Sequence, residues 1–440
     1  MKLVQRLFEP VDNSQLIFFR IAFGLLMTLE SWGAIATGWV KQAYIDTEFT
    51  FTFIGFEWLG FLHGDIMYAY YIVMGIVAIC VMIGYRYGLF SVLLFLMWTG
   101  TYLLQKTNYN NHYYLLVLIT GIMIFLPANR YYSLDEKRKS DREENTCPKW
   151  VPLLFIFQTA VLYFFASVAK LYPGWLRAEP MSIWLKQKAG YPIIGDLLQM
   201  DWMPYFISYG GIFFDGLIVP ALLWKKTRKL ALAVSLFFHL FNSFVFQVGV
   251  FPYLMLALIV FFYPAESIRR IFFKNKPSLK LEPKLAQITL RQKAWVTILA
   301  FYALVQILLP LRHWTYKGDV HWTEEGHRMA WQMMLKSKSG NIKFVVIDHD
   351  RGDTLTINPN THLTFKQSRA IAIRPDMAWQ YVQFLKQDLR STGRENISIY
   401  ANGSVRLNRG KSTPLIDPDM DLAIIEWERF SHAEWLRDKP

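Results

Sequence analysis

Cysteine is nearly absent from this 440-residue chain: two occur, Cys80 inside an apolar run and Cys147 in a charged loop. That scarcity excludes a disulfide framework, and neither cysteine stands in a metal-ligand pattern. The nine histidines form no His-x-x-x-His pair and no Cys-His cluster, so no bound metal is expected. A Gly-x-Ser-x-Gly elbow, a P-loop and a dinucleotide fingerprint are also missing, which leaves general bases and a bound small molecule to carry any chemistry. Charge is sparse at 18% of residues, and acidic residues are the scarcer kind: 47 Lys and Arg face 34 Asp and Glu, a formal charge of +13. The basic residues fall in short clusters between apolar stretches rather than along one amphipathic face, so membrane topology explains them and nucleic-acid binding is not expected. No internal repeat or low-complexity segment stands out.

What is present is apolar: 53% hydrophobic and 17% aromatic residues with a positive mean hydropathy, the composition of a polytopic α-helical membrane protein. Runs long enough to cross a bilayer, or nearly so, lie near 15–36, 68–84, 88–105, 113–127, 150–169, 205–223, 229–247, 250–263 and 294–311. About nine spans result, of which the two shortest can also be read as re-entrant. The first is read as a retained span whose Arg20 and Glu30 face the bundle interior.

Loop charge tests this reading, because Lys and Arg gather on the cytoplasmic side. Lys2 and Arg6, the loop 128–149 with Arg130, Lys137, Arg138, Lys139, Arg142 and Lys149, the turn with Lys225, Lys226, Arg228 and Lys229, and the loop with Arg269, Arg270, Lys274, Lys276, Lys280, Lys284, Arg291 and Lys293 all fall on one face with nine spans. The N-terminus is therefore expected in the cytoplasm. The acidic loop 37–67, the turn at Asn110-Asn111-His112, the loop 170–204 and everything after 311 share the opposite face.

From 312 the hydropathy drops and the pattern turns to strands. Residues 342–347 and 354–357 alternate around a turn at Asp350-Arg-Gly-Asp353, and 397–400 with 405–407 around Asn402-Gly403 read as a second hairpin. Between them 377–389 reads as an amphipathic helix. The expected division is 1–311, a transmembrane helical catalytic domain, and 312–440, a small extramembrane α+β domain facing substrate.

Three constellations stand out. Lys170 ends the run Tyr163-Phe-Phe-Ala-Ser-Val-Ala169 just before Pro173 and Gly174. It can be a snorkelling lysine at a helix end or a partly desolvated amine available as a base; the small and aromatic residues before it suit a pocket wall. Asn110-Asn111-His112 can cap the next helix or supply a proton relay near the membrane. His239 and Asn242 share one helical face inside an apolar span, as a buried hydrogen-bonded histidine or as a contact to a bound molecule.

Together these residues resemble the vitamin K-dependent gamma-carboxylase family, whose membrane part is the horizontally transferred transmembrane domain. The resemblance is carried in chain order by Asn110-Asn111-His112-Tyr, Ala128-Asn-Arg-Tyr-Tyr-Ser-Leu-Asp135, Ala169-Lys170-Leu-Tyr-Pro-Gly-Trp175-Leu, Phe238-His239-x-x-Asn242-Ser243, Gly249-x-Phe251-x-Tyr253-x-Met255, Trp331-x-Met333-Met334, and Asp417-Pro418-x-x-Asp421 with Trp427. It implies a bacterial-type gamma-glutamyl carboxylase of the cytoplasmic membrane, its active face periplasmic, that couples epoxidation of vitamin K hydroquinone, of phylloquinone or menaquinone type, to carboxylation of glutamate in a polypeptide with oxygen and carbon dioxide as co-substrates. Lys170 then matches the base that deprotonates the hydroquinone and His112 the histidine that stabilises the later chemistry. Asn111, Tyr163, His239 and Asn242 become candidates for holding the quinone, and Trp322, Trp331, Lys336 and Lys338 for binding substrate. The strong base is needed because a carbon proton beside a carboxylate is far too weakly acidic for an amine. Animal members carry a lysine where this chain has Ala169, and a histidine and an arginine where it has Lys336 and Lys338. The other functional classes open to this sequence are a quinone or lipid oxygenase that makes the base without carboxylating, and a non-enzymatic lipid-binding membrane protein or transporter.

Overall fold

The computed structural model describes residues 2–138, 145–279 and 287–439. Lys139, Arg142, Lys280 and Lys284, part of the loop-charge pattern, lie outside the described residues.

Among the described residues, seven helices are long and apolar enough to cross a membrane: Ser14–Ala36, Ile66–Ile83, Tyr87–Leu104, Trp150–Ala169, Met203–Leu223, Arg228–Phe246 and the helix beginning at Leu290. An eighth crossing is broken, with Phe251–Phe262 and Ala265–Phe272 bent by 116°. Asn111–Ile124 is apolar but short. Every one of the nine apolar runs is thus helical, and the two shortest are the ones that fall below full span length. The protein is a polytopic α-helical membrane protein.

Polar residues inside the bundle are spent on its joints. Arg20 is fully buried and donates to the carbonyls of Ala128 (2.8 Å) and Tyr132 (2.5 Å), fixing the chain after the short helix, while Glu30 accepts from the Tyr113 hydroxyl at 3.0 Å. Lys276, also fully buried, reaches Asn13 Oδ1 (2.7 Å) and Ser14 Oγ (2.8 Å) at the start of the first long helix. Gly24 lets Ser14–Ala36 lie directly on Ile66–Ile83, since a Cβ there would stand 2.7 Å from the Met82 backbone.

After residue 337 a four-stranded antiparallel sheet forms in the order Asp353–Ile357, Lys338–Asp348, Ile397–Leu407, Ser412–Thr413. The helices Phe365–Ile373 and Pro375–Ser391 contribute Ile371, Met377 and Tyr381 to its apolar core. The first hairpin pairs Val345 with Thr356 as its alternation predicts. The second does not form: Ile397–Leu407 runs unbroken, and Asn402-Gly403 pairs with Lys343 and Ile342 in mid-strand. The glycine serves close approach instead of a turn, because a Cβ at Gly403 would lie 2.3 Å from the Asn341 carbonyl oxygen.

This α+β domain is locked to the bundle by buried charge. Lys106 Nζ lies 2.6 Å from Asp376 Oδ2, and Arg328 grips the same carboxylate with both terminal nitrogens at 2.8 and 3.1 Å. Burial would raise the Asp376 carboxyl, but Arg328 and Lys106 pull it well below the carboxylate range. Lys106, lowered by burial, falls to about 8. Phe51 from the first long outer loop is inserted in the sheet domain's core, and Gln367 and Gln380 donate to the carbonyls of Phe49 (2.6 Å) and Thr52 (3.0 Å).

Two outcomes follow. Asp376→Ala leaves two buried cations without a partner and is expected to cost about 3–5 kcal/mol, seen as a lower melting temperature in detergent and early proteolytic release of the 338–440 region; an unchanged melt would show that the clamp contributes nothing. Burial also lowers His321 to about 4 and His327 to about 3 from an ordinary 6.5. Below pH 6.5 the unfolded chain takes up these protons and the folded chain does not, so stability is full above that pH and falls as it drops toward 4. Replacing both histidines by glutamine should flatten the melting temperature between pH 6.5 and 4.5.

Candidate active site

The Trp150–Ala169 helix stops where Pro173 begins a new short helix, and Lys170 caps its end. The side chain folds back, and Nζ donates to the Ala166 carbonyl at 3.1 Å, one of the carbonyls that a helix terminus leaves without a partner. The same ammonium is ion-paired with Asp215 Oδ2 at 2.6 Å, and both side chains are buried. Asp215 comes from the Met203–Leu223 helix, drawn close at Gly216, where a Cβ would press on Ser167 Oγ at 3.1 Å, and tied by Ser167 Oγ to the Ile212 carbonyl at 3.1 Å. The Lys170 head group is therefore turned into the protein, not toward head groups as a snorkelling lysine would be. One of its three N–H bonds is left to face the cavity beside it.

That cavity, about 100 Å³, is lined by Lys170, Asp215, His112, Tyr163, His239 and Asn242 among apolar and aromatic walls that include Trp175, Phe238 and Phe251. His239 Nε2 is 2.8 Å from the Tyr163 hydroxyl, while its Nδ1 is buried without a partner. His112 stacks on Phe251, ring centroids 4.2 Å apart, and its Nδ1 too is buried and unpartnered. Both imidazoles line the apolar cavity, and each keeps one ring nitrogen buried without a partner.

A second, polar chamber of about 270 Å³ adjoins it, sharing His112, Met333 and Met334 as a wall. Asn111, His321, Glu324, His327, Lys336, Lys338 and Arg374 line this chamber. It meets in turn an outer cleft of about 770 Å³ at His321 and Gln332. The three spaces thus lie in series, from a wide cleft of mixed lining to a small apolar cavity.

The wall between them belongs to a strained segment. Glu324, Met329, Trp331 and Met334 all have left-handed backbone, with φ from +48° to +66°. Non-glycine residues hold that conformation only where the surroundings enforce it. Here the bundle does so: Tyr109 Oη accepts from the Met329 amide (2.5 Å), Asn111 Nδ2 donates to the Gln332 carbonyl (2.9 Å), and the Tyr172 hydroxyl donates to the Leu335 carbonyl.

Of the residues singled out from sequence, His112, Tyr163, Lys170, His239 and Asn242 meet at the apolar cavity, and Asn111, Lys336 and Lys338 at the chamber. Trp322 and Trp331 line neither space. Trp322 is packed in the core of the sheet domain with Nε1 donating to the Arg437 carbonyl, and Trp331 is fully buried against Tyr114. Asp215 is missing from the sequence-derived candidates, although a lone carboxylate in an apolar span is the same kind of signal as Lys170. Glu324, His321, His327 and Arg374 carry no such signal, because they stand in polar text and only the docked domain brings them together.

Among known proteins, the model of the HTTM domain matches residues 8–266, and that of the vitamin K-dependent gamma-carboxylase lumenal domain matches residues 291–440. No solved structure matches the chain. The second match takes in the last long helix as well as the sheet domain, and with the first it leaves residues 1–7 and 267–290 unassigned. With both parts matched in order, and with Lys170 and His112 at one cavity, the chain belongs to the vitamin K-dependent gamma-carboxylase family.

Proposed function

We propose that this protein is a membrane carboxylase that couples oxidation of a vitamin K-type hydroquinone to carboxylation of a glutamate side chain in a polypeptide. The observation that carries this reading is the contact of two unlike spaces across one thin wall, an apolar cavity holding the Lys170–Asp215 pair and a polar chamber holding Lys336 and Arg374, with His112 facing both.

The apolar cavity suits a quinone ring by its chemistry. Its walls are aromatic and aliphatic, and its polar lining comes from Lys170, Asp215, Tyr163, Asn242 and the two histidines. At about 100 Å³ it is smaller than the ~150 Å³ hole that takes up benzene. A bicyclic ring therefore enters as the unbranched Met181, Met333 and Met334 at its rim change rotamer, a role to which methionine is suited. When bound, the reduced quinone supplies the electrons with which oxygen is turned into a base strong enough to remove a γ-proton.

The chain's own part is to pass the ion pair's proton from Lys170 Nζ to Asp215, so that the neutral amine can accept the ligand's proton and the ammonium so re-formed stands beside the developing oxyanion. His112 lines both spaces and keeps Nδ1 without a partner. The apolar walls keep water from quenching a strong base. In the chamber Lys336 and Arg374 present positive charge to the carboxylate of glutamate, Lys336 as a point charge rather than a fork. Counting the broken pair and the short helix Asn111–Ile124 as crossings gives nine, which puts the basic loops in the cytoplasm and the chamber and the sheet domain on the periplasmic face of a bacterial cytoplasmic membrane.

Purified protein given phylloquinone or menaquinone hydroquinone, oxygen and labelled carbon dioxide should form quinone epoxide and label a glutamyl peptide. Lys170→Ala should reduce both by about 10²–10⁴-fold, the usual contribution of a positioned proton acceptor. Asp215→Asn should lower kcat for epoxide formation by about 10²-fold or more with little change in quinone KM. Epoxide without labelled peptide would reject carboxylation and leave a quinone oxygenase; neither product from either quinone would reject the enzyme.

A further inference from the structure

The chamber that faces an incoming carboxylate already contains one. Glu324 Oε1 stands 2.8 Å from Lys336 Nζ and 3.3 Å from Lys338 Nζ, and Oε2 is 3.5 Å from His327 Nε2. Its side chain is 7% exposed. Burial alone would raise this carboxyl, but Lys336, Lys338 and His327 together hold it far below the carboxylate range. Glutamate 324 is thus a charged group, enclosed, on a backbone twisted to φ +66° that aims it at the lysines.

The two lysines differ in what they have left to give. Lys338 is saturated: its three N–H bonds go to Glu324 and to the carbonyls of Trp322 and Ile373, the last at 2.8 Å. Lys336 has Glu324 and, beyond it, only a long contact of 3.4 Å to the Val320 carbonyl. Lys336 is therefore the cation that can exchange its partner, and its resting partner is Glu324.

We propose that Glu324 is a specificity-determining residue, a resident stand-in for the substrate carboxylate that competes for Lys336 and sets how tightly the chamber holds carboxylates. The identity of the ligand as a glutamate side chain rests on the function proposed above; the competition itself does not. Charge makes the role concrete. Lys336, Lys338 and Arg374 bring three positive charges to the chamber lining and Glu324 removes one. A glutamate side chain adds one negative charge, and a γ-carboxylated one adds two. With Glu324 ionised the chamber offers the dicarboxylate a net charge of +2, and without Glu324 the full +3 remains to retain it more tightly.

The test uses the full chain in detergent, Glu324→Gln beside the wild type, and equilibrium binding of three short peptides that differ at one residue: glutamine, glutamate and γ-carboxyglutamate. Removing a like charge from beside the ligand should tighten the glutamyl peptide about tenfold and the γ-carboxyglutamyl peptide more, with the glutaminyl peptide unchanged. Steady-state kinetics of the variant should show a lower peptide KM and a lower kcat, the pattern of slowed release. Unchanged or weaker binding of the two acidic peptides to the variant overturns the proposal. Labelling of peptide by the wild type, scored separately, decides the carboxylase reading: tighter binding without labelling keeps the role of Glu324 and rejects carboxylation, and labelling without tighter binding does the reverse. If Glu324→Gln does not accumulate as folded protein, Glu324→Asp, which draws the charge back from Lys336 by one methylene, should show the same direction with a smaller factor, and its failure to do so is equally decisive.

Discussion

The carboxylate of Asp376 is the point on which the two halves of the molecule close. It is buried, it belongs to the sheet domain, and its two partners come from elsewhere: Lys106 from the turn between two membrane helices, and Arg328 from the strained segment that walls the cavities. A buried charge with two partners tolerates little displacement, since any shift leaves desolvated charge uncompensated. The clamp therefore fixes the sheet domain on the bundle and, through Arg328, fixes the segment from Glu324 to Met334. Without that segment the apolar cavity and the chamber would be one open space.

Buried lysines recur at three joints, and at each an acid answers them. Lys276 meets Asp12 where the chain enters its first span, Lys170 meets Asp215 at the cavity, and Lys336 and Lys338 meet Glu324 in the chamber. The first is closed over by Asn13 and Ser14. The second and third open onto cavities. The same pairing principle thus serves cohesion at one place and chemistry at another.

Much of the fold could be read from the residues because the signals were local. Apolar runs fixed the helices, and an alternating pattern fixed the first hairpin. Asn402-Gly403 misled because the preference of glycine for turns and its use in close strand packing look alike in one dimension; only the Asn341 carbonyl across the ladder tells them apart. At the site, Lys170, His112 and His239 were legible as polar residues in apolar surroundings. Glu324, His321, His327 and Arg374 were not, since a charge in polar text is unremarkable until the fold buries it. Trp322 and Trp331 show the reverse: large aromatic residues draw attention, and here their area goes into packing the domain cores.

Phe51 gives the sheet domain a history as well as a core. It sits in the loop that follows the first span, while the strands and helices it packs against are made last; the Gln367 side chain bonds to the Phe49 carbonyl across 318 positions. During synthesis that loop is already delivered and held by its flanking helices when the last residues emerge. The sheet domain then closes around a piece of the bundle, so it is an outgrowth completed on a membrane template rather than a module joined by a linker. A chain of this kind cannot exchange its outer domain with a relative by a simple cut at the end of the last helix. The first outer loop would have to travel with it.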